Sequence, residues 1–406
     1  MSASTPTTLP LSLDHLTSQQ VDMDSSETFK SFKQAPGHHP HNHRQIPSAL
    51  PSPDYSDSDE IEGGSNSGST ISTNNTSGTI CHGRVKNPEA MVPKTWWKTV
   101  FSDQLYLQTD GDVVEDSAIT REEVRVLEGI AAIRNILQAS TDSNASARTI
   151  KVLDLCCGQG RHILQLAELY PALELYGHDQ SEFLIQLARS RAAAAASTKD
   201  DAPLTTSPTT TKKKGAQIQF TIGDCRSIPF SDSTFDLVLV MGNSFGYFSN
   251  DKDDETLLTQ IHRVLRPGGV VVLDITDGAY QRENYSPRGW EWVDDEMLVC
   301  RERWLSEDKK RLVCREVVIK TAQGVIRDQF YQERLYDSGE MGEALRAAGL
   351  KRVDQEEVGE EQNGQGQEDH QVHDLEIKTG KEMSQRGEDL GMMDQRKFVV
   401  AIKHTL

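Results

Sequence analysis

The stretch VLDLCCGQGRH, residues 152–162, decides the fold, because an apolar run passes through two glycines into a helical pattern. The residues that lead into it, from Thr149, are mostly β-branched or aliphatic, which is typical of a buried strand. Gly158 and Gly160 permit a tight turn after that strand. Residues 160–170 then place apolar side chains at helical spacing. The stretch therefore predicts a strand, a glycine turn and a helix, the opening unit of an α/β sheet.

The same alternation continues along the chain. Short apolar, β-branched runs predict four more strands, at 172–179, 216–224, 234–243 and 268–277. Helical patterns separate them, and the helix over 253–269 is expected to end at Pro267, Gly268 and Gly269. Residues 351–358 and 396–406 add two further strands. The expected fold is α/β, with a Rossmann-like, doubly wound and mostly parallel seven-stranded sheet.

The remaining segments define the domain organisation. Residues 1–90 are rich in Ser, Thr, Pro, His and Asp, which predicts a disordered low-complexity tail. Residues 91–406 form the predicted domain. Its residues 276–336 break the alternation and have the pattern of antiparallel strands, which predicts a small β lid insertion. Mobile insertions are expected at 195–215 and 359–392, from their polar composition.

An amphipathic helix is predicted just before the sheet. Apolar residues recur at helical spacing over 120–138. Thr120 and Glu123 have the spacing of a capping box, so we expect the helix to begin at Thr120.

Composition excludes several classes of protein. The 406 residues carry a net charge of −19, which argues against a protein that binds nucleic acid through its phosphate groups. The six cysteines are scattered, so no metal site is expected. Since no leader peptide or run of about 20 apolar residues is present, we expect no membrane partner and a cytoplasmic location, or a nuclear one.

The residues that follow each predicted strand are the candidates for a ligand site, because parallel sheets bind ligands at the carboxyl ends of their strands. Acidic residues recur there, namely Asp154, Asp179 and Asp224. The run MGNSFGYF after the fourth strand mixes polar and flat apolar groups that suit a small substrate. Its predicted substrate-facing residues are Asn243, Phe245 and Tyr247.

This set of motifs resembles the class I S-adenosylmethionine-dependent methyltransferases. The resemblance rests on the run Asp154 to Gly160, on Asp179 and Asp224, and on HRVLRPGG, and it covers roughly residues 95–350 and the last strand. It differs from the family pattern at Cys156, which stands where the first glycine of the loop is usual. We interpret Cys156 and Cys157 as small side chains packed under the loop.

The resemblance implies S-adenosyl-L-methionine as cofactor and a small-molecule methyl acceptor. It assigns Asp154 to the methionine end of the cofactor, Asp179 to the ribose hydroxyls, and Asp224 and Cys225 to the adenine edge. Trp96, Trp97 and Tyr106 are expected to close over the cofactor. The full set of predicted cofactor-binding residues is Asp154, Cys156, Gly158, Gln159, Gly160, Asp179, Gln180, Asp224, Cys225 and Met241.

The implied reaction is methyl transfer to a nitrogen, oxygen or carbon nucleophile, achieved mainly by proximity and orientation. The sequence assigns no catalytic residue and no oligomeric state. Asp277 is the best-placed carboxylate for a general base, but a helix cap explains it equally well. Two other functions stay open: a non-catalytic S-adenosylmethionine-binding partner protein, and an NAD-dependent oxidoreductase, although the third glycine of G-x-G-x-x-G is missing.

Overall fold

The computed structural model describes residues 80–110, 114–140, 148–197, 216–353 and 395–404 in full, and the backbone of 73–74 and 375–376. Most of the predicted N-terminal tail, and most of the predicted insertions at 195–215 and 359–392, lie outside the described residues.

Fourteen strands are present among the described residues. They are β1 (Thr73–Asn74), β2 (Ile80–Cys81), β3 (Lys151–Leu155), β4 (Glu174–Asp179), β5 (Gln217–Ile222), β6 (Phe235–Val240), β7 (Leu265–Thr276), β8 (Arg288–Trp292), β9 (Met297–Leu305), β10 (Arg311–Lys320), β11 (Gly324–Arg334), β12 (Leu350–Arg352), β13 (Leu375–Glu376) and β14 (Arg396–Lys403).

Nine α-helices accompany these strands in the described part of the chain. They are α1 (Trp97–Val100), α2 (Gln104–Thr109), α3 (Ser117–Gly129), α4 (Ala131–Ala139), α5 (Arg161–Leu169), α6 (Glu182–Ser197), α7 (Asp251–Val264), α8 (Gly278–Asn284) and α9 (Ser338–Ala347).

The main sheet has the strand order β12-β14-β7-β6-β3-β4-β5, with β13 paired to β14. Strands β3 to β7 are parallel, and β14 runs antiparallel to β7. This confirms the predicted Rossmann-like, mostly parallel seven-stranded sheet. The chain leaves β3 towards β4 on one side and returns to β6 on the other, so the strand order reverses beside β3, where such sheets bind ligands.

Both faces of the main sheet are covered. Every residue of β6 is buried, which is the pattern of a central parallel strand. One hydrophobic cluster joins α7 and α9 to one face, and a second joins α3, α4, α5 and α6 to the other. Burial on both faces explains why the β-branched runs of the sequence are nearly continuous.

A second sheet is separate from the first and wholly antiparallel. Its order is β11-β10-β9-β8, so consecutive strands pair by simple hairpins. It occupies 288–334, within the predicted insertion at 276–336. The predicted antiparallel β insertion is therefore confirmed as a sheet.

Two predicted helix boundaries are wrong. Helix α3 begins at Ser117, where the Asp116 carboxylate caps the amide of Ala118, so Thr120 lies inside the helix and donates to the carbonyl of Asp116. The predicted single helix also breaks at Ile130, which is extended and separates α3 from α4. Glu123 makes ion pairs in the core instead of closing a capping box.

The helix predicted to run to Gly269 ends at Val264. Leu265 is already extended and pairs with Phe235, so β7 begins before the proline. The physical reason is that a residue before proline avoids the helical region, and Pro267 has no amide to donate to a helix.

Candidate active site

A cleft of about 750 Å³, counting the space open to solvent at its mouth, lies at the carboxyl ends of β3 to β6. Its walls combine the glycine turn, polar strand ends and five aromatic rings. They are formed by Trp97, Phe101, Tyr106, Cys156, Gly158, His178, Asp179, Gln180, Leu184, Gly223, Asp224, Cys225, Gly242, Ser244, Tyr247 and Phe248. The cleft thus contains residues from four successive strand ends.

The glycine turn after β3 is held by the neighbouring strand. The amides of Cys156 and Cys157 donate to the carbonyl of His178, at 2.7 and 3.2 Å. Gly158 and Gly160 have φ values of 52° and 75°, and Cys156 has φ 60°, in the left-handed region that other residues rarely adopt. An added β-carbon at Gly160 would lie 3.1 Å from Ala188 on α6, so glycine lets the turn pack closely against that helix.

Asp179 at the end of β4 is bound to this turn. One carboxylate oxygen accepts from the Gly158 amide at 2.8 Å, and the other accepts from the Ser181 amide at 2.8 Å. Burial raises the pKa of the carboxyl, and these amides oppose that rise. A carboxylate has about four lone-pair sites, so Asp179 retains capacity for two donors from a ligand.

Asp224, after β5, is oriented by Arg226. The guanidinium donates to both carboxylate oxygens, at 3.0 and 2.6 Å, and these bonds lower the pKa of Asp224. The same guanidinium lies 4.5 Å from the ring centre of Phe248, which lines the cleft. Asp224 is therefore ionised at neutral pH and presents an acceptor at this end of the cleft.

A buried ion network supports the cleft from behind. Arg396 pairs with Asp274 and, at 2.8 Å, with Glu123. Asp274 also accepts from the Gly242 amide at 2.7 Å, so the network fixes a residue of the cleft wall. Although burial raises the pKa of Glu123, the charges of Arg161 and Arg396 hold it well below its usual value.

Asp154 lies in this buried layer and does not line the cleft. It is fully buried, and neither carboxylate oxygen has a hydrogen-bond partner among the described residues. Burial raises the pKa of Asp154 to about 8. The nearest ionisable nitrogen is Nδ1 of His162, at 3.8 Å. A buried carboxyl without a partner indicates a site that a ligand or bound water completes.

The segment before the sheet forms the aromatic wall of the cleft. Gln180 donates to the carbonyl of Trp97 at 2.6 Å, and the Ser181 hydroxyl donates to the carbonyl of Phe101 at 2.7 Å. The rings of Phe101 and Tyr247 stack with centres 5.8 Å apart. These bonds attach α1 and the residues after it to the end of β4, beside Asp179.

The predicted site residues divide into two layers. Seven of them line the cleft together: Cys156, Gly158, Asp179, Gln180, Asp224, Cys225 and Tyr247. The other six lie behind it: Asp154, Gln159, Gly160, Met241, Asn243 and Phe245. Strand alternation explains part of this division, since neighbouring residues turn to opposite sides of the sheet.

Three members of the rear layer have structural partners. Gln159 donates to the carbonyl of Val114 at 2.8 Å. Gly160 packs so closely that an added β-carbon would lie 3.0 Å from the Phe220 ring. Asn243 accepts from the Thr276 amide at 2.8 Å.

Several cleft residues were not predicted from the sequence. Phe101, His178, Leu184 and Phe248 line the cleft, and Arg226 orients Asp224. Phe248 ends the run MGNSFGYF, and His178 directly precedes Asp179. Their closeness in sequence to predicted site residues is the signal that could have identified them. Asp277, for which a general base and a helix cap were equally good explanations, caps α8 and accepts from the amides of Ala279 and Tyr280.

Two searches of the described residues found nothing. No group of three or more His, Cys, Asp or Glu side chains in this part of the chain is placed to hold a metal ion. None of the helices in the same ranges is long and apolar enough to cross a membrane.

The residues of the cleft fit an adenosyl cofactor. Two carboxylates with acceptor capacity follow β4 and β5, next to the glycine turn after β3, flat rings line the same cleft, and the buried Asp154 carboxyl lacks a partner behind the turn.

Comparison with known proteins agrees with this geometry. A family profile described as a methyltransferase domain matches residues 146–297. A demethylmenaquinone methyltransferase of Geobacillus sp. (strain WCH70) is 32% identical over 123 residues, which cover 30% of this chain and 43% of that protein. A ubiquinone/menaquinone biosynthesis C-methyltransferase of Desulfotalea psychrophila is 30% identical over 131 residues, covering 32% and 43%. The chain therefore spans less than half the length of these curated relatives.

Among solved structures, an S-adenosylmethionine-dependent methyltransferase from Clostridium acetobutylicum matches with a TM-score of 0.46 and 14% identity. The match covers 67% of this chain and 89% of that one. The matching profile places residues 146–297 in a methyltransferase domain, and the strand order and the glycine turn with acidic strand ends agree with that match.

Proposed function

We propose that this chain transfers the methyl group of S-adenosyl-L-methionine to a nitrogen, oxygen or carbon atom of a small molecule. The observation that carries the proposal is the convergence of the Gly158 turn, Asp179 and Asp224 in one cleft at the reversal of strand order. An oxidoreductase that binds NAD would call for a third glycine, and Arg161 to Ile163 occupy that region instead.

The residues that hold the cofactor in this proposal are those of the cleft. Asp179 accepts from the two ribose hydroxyls with its remaining lone pairs. Asp224 and Cys225 lie at the adenine edge, and the Gly158 turn approaches the methionine portion. Trp97 and Tyr106 cover the cofactor from the opposite wall. The carboxyl of Asp154, behind the turn, accepts a hydrogen bond from the cofactor's amino group or from a water beside it.

The bound cofactor supplies a methyl group on a positively charged sulfur, which is a good leaving group. The protein's own contribution is to orient the acceptor and exclude water, which lowers the barrier by roughly 7–11 kcal/mol at best. The ring wall formed by Trp97, Phe101, Tyr106 and Tyr247 provides the apolar enclosure.

The test is a pair of measurements on the full chain. Calorimetric titration with S-adenosylmethionine and, separately, with NADH should show binding of the first and none of the second. Transfer of radiolabelled methyl groups to a deproteinised yeast extract should then distinguish an enzyme from a binding protein without catalysis. NADH binding without S-adenosylmethionine binding would overturn the proposal.

A further inference from the structure

The aromatic rings of the cleft wall continue into a cluster of rings behind it. Tyr247, in the cleft wall, has its ring centre 4.9 Å from that of Trp96, and Tyr331 of the second sheet lies 5.6 Å from Trp96 on centres. Phe101 lies 5.9 Å from Trp96, and Tyr106 lies 4.9 Å from Phe101. We call these five residues the aromatic cage.

A buried carboxyl adjoins the aromatic cage. Glu333 lies two residues after Tyr331 on β11, so both belong to the same face of the second sheet. Its side chain is 1% exposed, and one carboxylate oxygen, Oε2, has no hydrogen-bond partner among the described residues. Since Tyr331 belongs to the cage, Glu333 is next to the cage on this face of β11. The pKa of Tyr247, which burial raises most, is raised further by Glu333.

The other oxygen of Glu333 is fixed by the loop that forms the cleft wall. The side chains of Asn243 and Thr276 hydrogen-bond with it. Asn243 has φ 58°, in the left-handed region that asparagine adopts more readily than most residues. This loop conformation positions Glu333 and leaves Oε2 without a partner among the described residues.

A second polar atom of the cage also lacks a partner. The indole nitrogen of Trp96, a residue only 1% exposed, donates to nothing in the described residues. A buried donor or acceptor left unpaired destabilises the fold. Two such atoms around one aromatic cage indicate a polar ligand that offers a donor to Glu333 and, through another group, an acceptor to Trp96.

The charges near the aromatic cage favour a cationic ligand. Arg301, on the same face of the second sheet, is already paired with Glu291, with Glu316 at 2.9 Å and with Asp110 at 3.6 Å. Arg303 lies on the same face, so two guanidinium groups stand against four carboxylates, those of Asp110, Glu291, Glu316 and Glu333. Aromatic faces also attract cations.

Building on the proposed function, we propose that the aromatic cage binds the methyl acceptor, that this acceptor is an amine, and that Glu333 Oε2 accepts a hydrogen bond from its nitrogen. Burial raises the pKa of Glu333 to about 8, and a bound ammonium favours its ionised form. A carbon acceptor would leave Oε2 without a donor. A bound ammonium satisfies Oε2 and lies against ring faces.

The proton and electron balance is as follows. The ammonium gives one proton to the Glu333 carboxylate, which breaks an N–H bond and forms an O–H bond. The freed nitrogen lone pair forms the new N–C bond while the sulfur–methyl bond breaks and its electrons pass to sulfur. The methylated nitrogen is again an ammonium, and Glu333 gives its proton to water as the product leaves.

The first experiment needs no variant. Full-length protein is incubated with radiolabelled S-adenosylmethionine and a deproteinised yeast extract, either untreated or acylated at its amines with N-acetoxysuccinimide. We expect methyl transfer to the untreated extract and its loss after acylation. Mixing acylated with untreated extract must preserve transfer, which shows that acylation creates no inhibitor. Transfer that survives acylation overturns the amine acceptor.

The second experiment tests Glu333 itself. E333Q keeps the size of the side chain and its bond to Asn243 but removes the charge, so transfer should fall at least about tenfold. The cofactor affinity of E333Q, measured by calorimetry, should equal that of wild type, which would show that the variant is folded. E333D, which keeps the carboxylate, should retain more methyl transfer than E333Q. E302Q, on the opposite face of the same sheet, is the matched control and should keep full transfer.

The outcomes separate the two proposals. If wild-type protein binds no cofactor or transfers no methyl group, the proposed function fails. If transfer occurs and E333Q matches wild type, the role of Glu333 fails while the proposed function stands.

Discussion

Replacing Asp179 with alanine is the sharpest test of how the cleft binds its cofactor. The carboxylate is almost fully buried, and its two oxygens accept from the amides of Gly158 and Ser181, both at 2.8 Å. Asp179→Ala therefore removes two things at once: the acceptor for the ribose hydroxyls and the anchor of the glycine turn.

The size of the effect follows from these bonds. A hydrogen bond to a charged group contributes about 1.5–3 kcal/mol, so the loss of two ribose contacts costs roughly 3–6 kcal/mol. Since about 1.4 kcal/mol is a factor of ten in affinity, the lower bound is a loss of somewhat more than 100-fold. Loosening of the Gly158 turn adds to this loss.

The assay is calorimetric titration of wild-type and variant protein with S-adenosylhomocysteine. The matched control is Glu182→Ala, which removes a nearby carboxylate that is exposed on α6 and outside the cleft, and should leave the affinity unchanged. A folded Asp179→Ala protein that binds the ligand within about threefold of wild type, under ~1 kcal/mol, would refute the ribose assignment.

Three further predictions concern the supports of the cleft. Cys156→Gly should change the unfolding free energy by no more than ~1 kcal/mol and the cofactor affinity by no more than about threefold, because the backbone at Cys156 has a φ of 60°, which glycine adopts freely. Loss of binding would show that the sulfur has a role. Gly160→Ala should destabilise by ~1–3 kcal/mol in denaturant titration, because its β-carbon would lie 3.0 Å from an aromatic ring, whereas Gly342→Ala, with open space on a helix, should stabilise by ~0.5–1 kcal/mol. Arg396→Met should cost ~3–5 kcal/mol of unfolding free energy, because it removes the guanidinium that pairs with buried Asp274 and one of the two that pair with buried Glu123, whereas Arg125→Ala, which breaks an exposed pair, should leave stability almost unchanged; equal costs would contradict the buried network.

The sheet and its ligand-binding edge were predictable from local sequence. Buried parallel strands produce continuous β-branched runs, and the turn after β3 needs Gly158 and Gly160, both at positive φ. These are local requirements, so a window of a dozen residues contains them. The chain order of Asp179 and Asp224 then follows from the parallel connections, which bring successive strand ends to one edge.

What local sequence could not give is the division of the site into two layers. Asp154 belongs to β3 and is buried beside His162, which contacts Glu123 and so adjoins the network of Arg396, more than two hundred residues away. Its surroundings are determined by tertiary packing. Tertiary packing also determines the position of Glu333, because this residue of the second sheet contacts Asn243, which follows β6 of the main sheet and is far away in sequence.

The wrong helix start has a comparable cause. The spacing of Thr120 and Glu123 fits a capping box, but the Asp116 carboxylate captures the first amide earlier in the chain. Glu123 is then used to pair Arg161 and Arg396 in the core. A capping box and the buried ion pairs both require Glu123, and in the folded chain Glu123 forms the ion pairs.

The most direct test of the account is a crystal structure of the full chain with S-adenosylhomocysteine. We predict the ribose hydroxyls within hydrogen-bond distance of Asp179, the adenine beside Asp224 and Cys225, and the amino acid portion against the Gly158 turn. A ligand bound elsewhere, or one in this cleft without contact to Asp179, would contradict the central claim that the strand ends form an adenosyl-binding site.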